Sequence, residues 1–427
     1  MGAPSRVTYE IDGQFYEVAV PGAGQSPRMA YASCNGFSNP KYMKGITNKN
    51  AVWDKMKGKH DSEPYHLLLF GGDQIYADSI WDTAKSIGEW NKLDTEEGNK
   101  RKFTSKMQSE VEHFYMDLYT DRWSQPSVKR MLAQIPMVAM WDDHDVFDGW
   151  GSWPEQRQNC DVFQGIGRNA TKAFAVFQQH IKEGEAARAY AIGPQYGFSF
   201  GHVVGRIGIV AIDMRSQRSG VQVLSDDHWK LIYAWLDNIK KGCLDHLLIM
   251  SSIPVVYPGF DTLEALLGVV PGYQDLEDDL RDHWNSQPHK GERIRMVHNL
   301  LDFTDEKQIP ATILSGDVHV AALGLIESTA AHTGKPVLIN QLISSGIVHP
   351  GPGAAVLFCL KHLFDSEDDI EPGLIKARMT DFPGNTGRFI GQRNYLSLEP
   401  DDKKRIWANW IVENNPHPFT KVLLPFG

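Results

Sequence analysis

The chain has no run of about 18 apolar residues, so no segment is expected to span a bilayer. Cysteine is scarce: Cys34, Cys160, Cys243 and Cys359 are scattered over 427 residues, and no Cys-x-x-Cys pair occurs. Neither a disulfide scaffold nor a structural zinc ribbon is expected from that usage. Positive charge is also in short supply. Lys and Arg number 43 against 53 Asp and Glu, giving a formal net charge of -10. That balance argues against stable nucleic-acid binding, which needs a basic domain or patch. It leaves room for a phosphate ligand held locally by cations. No His-Glu-x-x-His occurs, and no His-x-His precedes the first core turn, so the common zinc peptidase and amidohydrolase patterns are missing. The first thirty residues hold no apolar h-region and no twin arginine, so a cytoplasmic protein is the expectation. Oligomeric state is not readable.

What the chain does have is a set of short apolar runs that end in acids and histidines. Leu67-Leu68-Leu69-Phe70 runs into Gly71-Gly72-Asp73-Gln74-Ile75-Tyr76. Ile135 to Met140 runs into Trp141-Asp142-Asp143-His144-Asp145, and Ala311 to Leu314 into Ser315-Gly316-Asp317-Val318-His319. Open α/β sheets present ligands at the carboxyl ends of their strands. Three such ends carrying Asp, His or Tyr predict one metal centre assembled from distant parts of the chain. Each piece alone has a bland reading, since an Asp after Gly-Gly caps turns and a lone cysteine is usually a buried thiol. The order of the pieces gives them weight.

Elsewhere the pattern alternates strands and helices, which favours a layered α/β core. Residues 7–20 read as a hairpin turning at Asp12-Gly13, and Met29 to Ala32 opens the core and leads into Ser33-Cys34-Asn35-Gly36. Helical spacing is expected over much of 79–131, over 168–181 and over 226–239. Further strands are expected at 203–212, 247–250 and 337–343, with 405–412 as the last. Residues 1–28 are expected to form an N-terminal β segment and 29–427 one domain, with 254–292 as a candidate lid.

The five strand-end slots resemble the calcineurin-like metallophosphoesterase superfamily, and within it the PhoD-like (alkaline phosphatase D) branch. They read Cys34-Asn35-Gly36, Gly72-Asp73-Gln74-Ile75-Tyr76, Asp142-Asp143-His144-Asp145, Ser252-Ile253-Pro254 and Gly316-Asp317-Val318-His319, in the superfamily's order, within 30–345. Asp213-Met214-Arg215 and Asp282-His283-Trp284 also fit the branch. The resemblance implies a four-layer α/β/β/α sandwich, two facing sheets wrapped by helices. It implies metal-dependent hydrolysis of a small-molecule phosphate monoester or diester by metal-activated hydroxide.

Departures from the superfamily pattern are informative. Gly36 stands where that pattern has His, and Tyr76 where it often has Asp. One metal position would hold Cys34, Asp73, Tyr76 and His319, a donor set that suits Fe(III). The other would hold Asp73, Asp143 and Asp317, oxygen donors that suit Ca(II), with Mg, Mn or Zn as substitutes and Ser252 at most a weak donor. Whether Asp142 joins them is open. Five negative charges, from Cys34, Asp73, Tyr76, Asp143 and Asp317, would face five positive ones from Fe(III) and Ca(II). The resemblance places His144 as the acid that protonates the leaving oxygen or holds the phosphate, with Asp145 as its orienter. Arg215, with Arg218 behind it, is expected over the equatorial phosphate oxygens. Trp81, Trp150, Trp153, Tyr257, Phe260 and Trp284 are candidates for an aromatic wall. The alternative is a degenerate relative that binds metal or phosphate without turnover.

Overall fold

The computed structural model describes residues 2–182, 191–193, 195–257, 284, 289–329, 334–362, 367–384 and 387–426. The N-terminal strands β1 (Ser5–Ile11) and β2 (Gln14–Val20) pair antiparallel about the expected turn at Asp12-Gly13. The core begins with three short parallel strands, β3 (Met29–Ala32), β4 (Leu67–Gly71) and β5 (Met137–Met140). A second run follows: β6 (Phe200–Val204), β7 (Ile207–Ile212), β8 (His246–Ser251), β9 (Ala311–Ser315), β10 (Ala321–Ser328) and β11 (Leu338–Ser344). The tail adds β12 (Glu367–Glu371), β13 (Ile375–Thr380), β14 (Phe389–Ile390), β15 (Asn394–Pro400), β16 (Ile406–Val412) and β17 (Phe419–Leu423). Among the described residues one sheet has the order β17-β16-β15-β3-β4-β5. The other runs β12-β13-β10-β11-β9-β8-β7-β6, with β14 also on β10.

Alternation along the strands sets the layers, because successive side chains point to opposite faces. Met29, Tyr31, Leu67 and Leu69 share one core with Ile207, Ile209, Leu248, Met250 and Leu314 of the facing sheet. Their neighbours Ala30, Ala32, Leu68 and Phe70 point outward onto α1 (Ala51–Ser62), through Val52, Trp53 and Met56. On the far side Val210, Leu247, Ile249 and Ile313 pack against Trp229 and Ile232 of α2 (Asp226–Asp237) and Val297 and Leu300 of α3 (Lys290–Lys307). Helix, sheet, sheet and helix therefore stack in four layers, the expected sandwich. No helix among the described residues is long and apolar enough to cross a membrane.

Several boundaries differ from the sequence reading. The stretch 203–212 is two strands, broken by a turn at Gly205-Arg206 into the β6–β7 hairpin. The helix expected over 168–181 covers Asp161–Phe177. Residues 405–412 hold a strand that is not the last, because β17 pairs with β16 along its outer edge. Most of the candidate lid, residues 258–283 and 285–288, lies outside the described residues. The described members of the candidate aromatic wall pack on other aromatic rings. Trp81, Trp150 and Trp153 join an aromatic cluster with Phe147 and Phe163, Trp284 packs on Trp229, and Tyr257 on Phe389. Phe260 is outside the described residues.

Candidate metal centre

Two parallel stretches, β3-β4-β5 in one sheet and β7-β8-β9-β11 in the other, deliver their carboxyl ends to one place. Backbone bonds tie these ends together: Cys34 N–H donates to Gly72 O at 3.3 Å and Asn35 N–H to Asp73 O at 2.7 Å. Gly316 N–H donates to Ser252 O at 2.9 Å, and Ile347 N–H to Ser33 O at 3.0 Å. Cys34 (φ 54), Asp73 (φ 53), Asp317 (φ 67) and His319 (φ 52) all have left-handed backbone. Non-glycine residues rarely adopt that conformation, and it gathers at functional turns. Four of the predicted ligands hold it here.

Four acids converge on one side. A carboxylate oxygen from each of Asp73, Asp142, Asp143 and Asp317 lies within 4.8 Å of the other three, and all four residues are buried. Asp73 Oδ1 is buried and has no hydrogen-bond partner among the described residues, which is costly unless a ligand completes it. Burial, and then the charge of Asp142, pushes the Asp73 carboxyl well above its usual range. Burial also opposes ionisation of Asp143. Arg215, His144 and the Gly149 N–H outweigh it and hold that carboxyl below its usual range. A crowd of buried acids with an orphaned oxygen fits a hard cation, which would let all four ionise together. Ser252 Oγ is buried and likewise has no partner among the described residues.

On the other side the donors meet in pairs. Tyr76 Oη and His319 Nε2 are 3.0 Å apart, the spacing of two neighbouring donors with bonds of about 2.1 Å to one ion. Cys34 Sγ lies 3.4 Å from Asp73 Oδ2 and also contacts the Tyr76 hydroxyl. Gly36 explains how the phenol fits: a Cβ there would fall 2.5 Å from Tyr76 Cδ2. Gly36 and Tyr76 are thus sterically matched. Burial and then the Asp73 charge push the Cys34 thiol up; burial, Cys34 and Asp73 do the same to the Tyr76 phenol. Burial, with His349 and His144 nearby, holds His319 well below its ordinary value, so it is neutral and able to donate an electron pair.

The family model for PhoD related phosphatase matches residues 4–272 and 266–410. The chain belongs to this family. An uncharacterized protein of Saccharomyces cerevisiae, YGR266W, is 29% identical over 92% of this chain and 68% of its own length. The solved structure of PhoD superposes with a TM-score of 0.57 at 16% identity, covering 96% of this chain and 71% of that one. At that identity the likeness speaks for the shared fold.

Within this PhoD-related frame, two of the residues with predicted catalytic roles have partners that the sequence reading did not name. Asp145 does not orient His144. Its carboxylate accepts the backbone N–H groups of Asp73, Gln74, Ile75 and Asp142 at 2.9 to 3.3 Å, which holds the Gly72-Asp73 turn. Burial pushes that carboxyl to about 7. The group on the His144 ring is Asp78, with Oδ2 at 2.8 Å from Nδ1. Burial favours the neutral ring, but Asp78 and Asp143 hold its pKa well above the ordinary histidine value. Arg215 is turned toward the acids of the centre. Its guanidinium is fully buried and bonds to Asp142, to Asp143 at 3.2 Å and to Trp150 O at 3.2 Å. Asp213 Oδ1 accepts from the Trp141 indole at 2.8 Å and from the Arg215 backbone N–H at 3.1 Å. Arg218 lies against Ser152 and His289, each 3.4 Å away.

Asp142, left open by the sequence, joins the acids, and Asp78, Ser345 and His349 are the site residues that the motifs did not yield. Asp78 follows Asp73 by five residues, and Ser345 and His349 follow a core strand in the same way as the slots that were recognised. That shared position was the available signal.

Proposed function

We propose that this chain hydrolyses small-molecule phosphate esters at a two-cation centre. Cys34, Asp73, Tyr76 and His319 would hold trivalent iron. Asp73, Asp142, Asp143 and Asp317 would hold calcium, for which magnesium or manganese could substitute. The observation that carries this reading is the convergence of four buried carboxylates beside a thiol, a phenol and a neutral imidazole, from strand ends of both sheets. When bound, the two ions would acidify a water and neutralise the phosphate oxygens.

The remaining work falls to the chain's own groups. His144 has Nδ1 committed to Asp78 and Nε2 left to give a proton to the leaving oxygen. Its ring lies 4.4 Å from the Tyr76 ring, so the proton is stored beside the centre. Arg215 acts through Asp142 and Asp143, aiming both carboxylates and offsetting their repulsion. Asp145 fixes the turn that carries Asp73.

The test is hydrolysis of an aryl phosphate monoester beside its bis-aryl diester, with added calcium and with chelator. Chelator-sensitive turnover is expected, and the ratio of rates assigns the ester class. Turnover that survives exhaustive removal of metal would overturn the two-cation reading; a metal-replete protein inert to both esters would favour the degenerate binder. Iron is tested by colour: a visible charge-transfer band is expected, and Tyr76→Phe should remove or shift it. A colourless, iron-free but active protein would end the iron assignment.

A further inference from the structure

The acids of the centre are aimed by charge and hydrogen bonds, whereas the Cys34, Tyr76 and His319 donors are covered by a segment that no strand-end motif contains. We propose that Ser345 and His349 are positioning residues that aim these three donors at one cation. The proposal deepens the two-cation reading and rests on it.

Both residues follow β11 and are buried. Gly346, with φ 62, bends the chain so tightly that a Cβ there would meet His349 O at 2.1 Å, and the turn brings His349 back over the site. The Val348 and His349 N–H groups then donate to Cys34 O at 3.2 and 3.1 Å, so the segment grips the cysteine backbone. Ser345 grips two donors at once. Its Oγ accepts the His319 N–H at 3.0 Å and lies 2.9 Å from Cys34 Sγ. Because Oγ accepts from the backbone, its own proton is free to point at the sulfur, as a thiolate requires.

The His349 ring completes the arrangement. It stacks on the His319 ring at 3.6 Å and 17°, and lies 5.5 Å from the Tyr76 ring at 24°. Its own nitrogens are held: Nδ1 lies 2.8 Å from Pro350 O, which can only accept, and Nε2 lies 3.3 Å from Ser38 Oγ. Both nitrogens are thus engaged by Pro350 and Ser38. Tyr42 lies against its ring at 4.9 Å. What His349 presents to the centre is a flat surface that fixes the planes of His319 and Tyr76. Groups that orient metal donors in this way typically matter by about 10- to 100-fold in metal affinity.

The experiment strips the full chain of metal and titrates it with Co(II), whose spectrum reports thiolate, phenolate and imidazole donors. The parent should show a sulfur-to-cobalt band that Cys34→Ala removes. His349→Ala should weaken Co(II) binding about 10- to 100-fold and change the visible bands. His349→Phe, which keeps a flat ring, should recover most of the affinity. Ser345→Ala should shift the sulfur band. Calcium binding at the acids, read by calorimetry, should stay at the parent value in all three. If His349→Ala and Ser345→Ala both titrate with the parent's affinity and spectrum while Cys34→Ala loses its band, the proposal is wrong and the donor reading stands. If Cys34→Ala keeps the parent spectrum, or the parent takes up no Co(II), the donor reading fails and the proposal falls with it. Should His349→Ala not fold, Ser345→Ala decides: a parent affinity and an unshifted sulfur band there would overturn the proposal.

Discussion

The two sides of the centre are built by different means. On the acid side, Asp142 and Asp143 are pinned by the fully buried Arg215, and Asp73 rides on a turn held by Asp145. On the other side, a thiol, a phenol and an imidazole lean on one another and on a stacked ring. Charge aims the first set and shape aims the second. The difference teaches that a repulsive cluster needs a built-in countercharge to fold before any ion arrives, whereas weakly acidic donors can wait neutral.

Asp73 is shared by both sides, so Asp73→Asn should have the largest effect. Turnover is expected to fall about a hundredfold to a thousandfold, with both calcium and trivalent-metal binding weakened. Loss of only one of the two would show that Asp73 does not bridge. Arg215→Met breaks the acid side alone. Removing one partner of a buried ion pair costs about 3–5 kcal/mol, measured by denaturant unfolding in chelator. Calcium should restore part of that loss by taking over the charge of Asp142 and Asp143. Equal destabilisation with and without calcium would separate the ion pair from the metal position.

Gly36→Ala tests the side aimed by shape. A methyl 2.5 Å from the Tyr76 ring must push it aside, at about 1–3 kcal/mol, and the charge-transfer band should shift while calcium binding holds. The smallest effect lies outside both sides. His60 Nδ1 accepts the Tyr65 N–H at 3.1 Å, and burial lowers its pKa to about 4. Its folded pKa is below the unfolded value of about 6.5. The unfolded chain therefore takes up the proton first, and stability present above about 6.5 declines as pH falls toward about 4. Thermal melts across that window should show the decline, and His60→Gln should flatten it without changing turnover at neutral pH.

The acid side was the more legible of the two. Asp73, Asp143 and Asp317 follow unbroken apolar runs and a glycine or aromatic, and such runs announce a buried strand and its end. The stacked layer was not legible. His349 sits in a Val-His-Pro-Gly turn with no motif around it, and its partners Ser38 and His319 are far away in sequence. The same distance hid β15, whose place beside β3 depends on a contact across most of the chain. Arg215 and Asp145 were found as residues, but their partners within the fold, the Asp142 and Asp143 carboxylates and the Asp73 turn, were not legible, because spacing locates a side chain and does not say which way it turns. The β6–β7 break was missed because Gly205 interrupts a run whose apolar pattern continues on both sides.

The left-handed turns at Cys34, Asp73, Asp317 and His319 carry a consequence for inheritance. Asparagine and aspartate share a tolerance for that backbone that most side chains lack. A lineage that drifts from Asp to Asn at position 73 or 317 keeps its turn and its packing, while one that drifts to valine risks the fold as well. Silent loss of chemistry is therefore the easier route, and copies with and without activity can share one architecture.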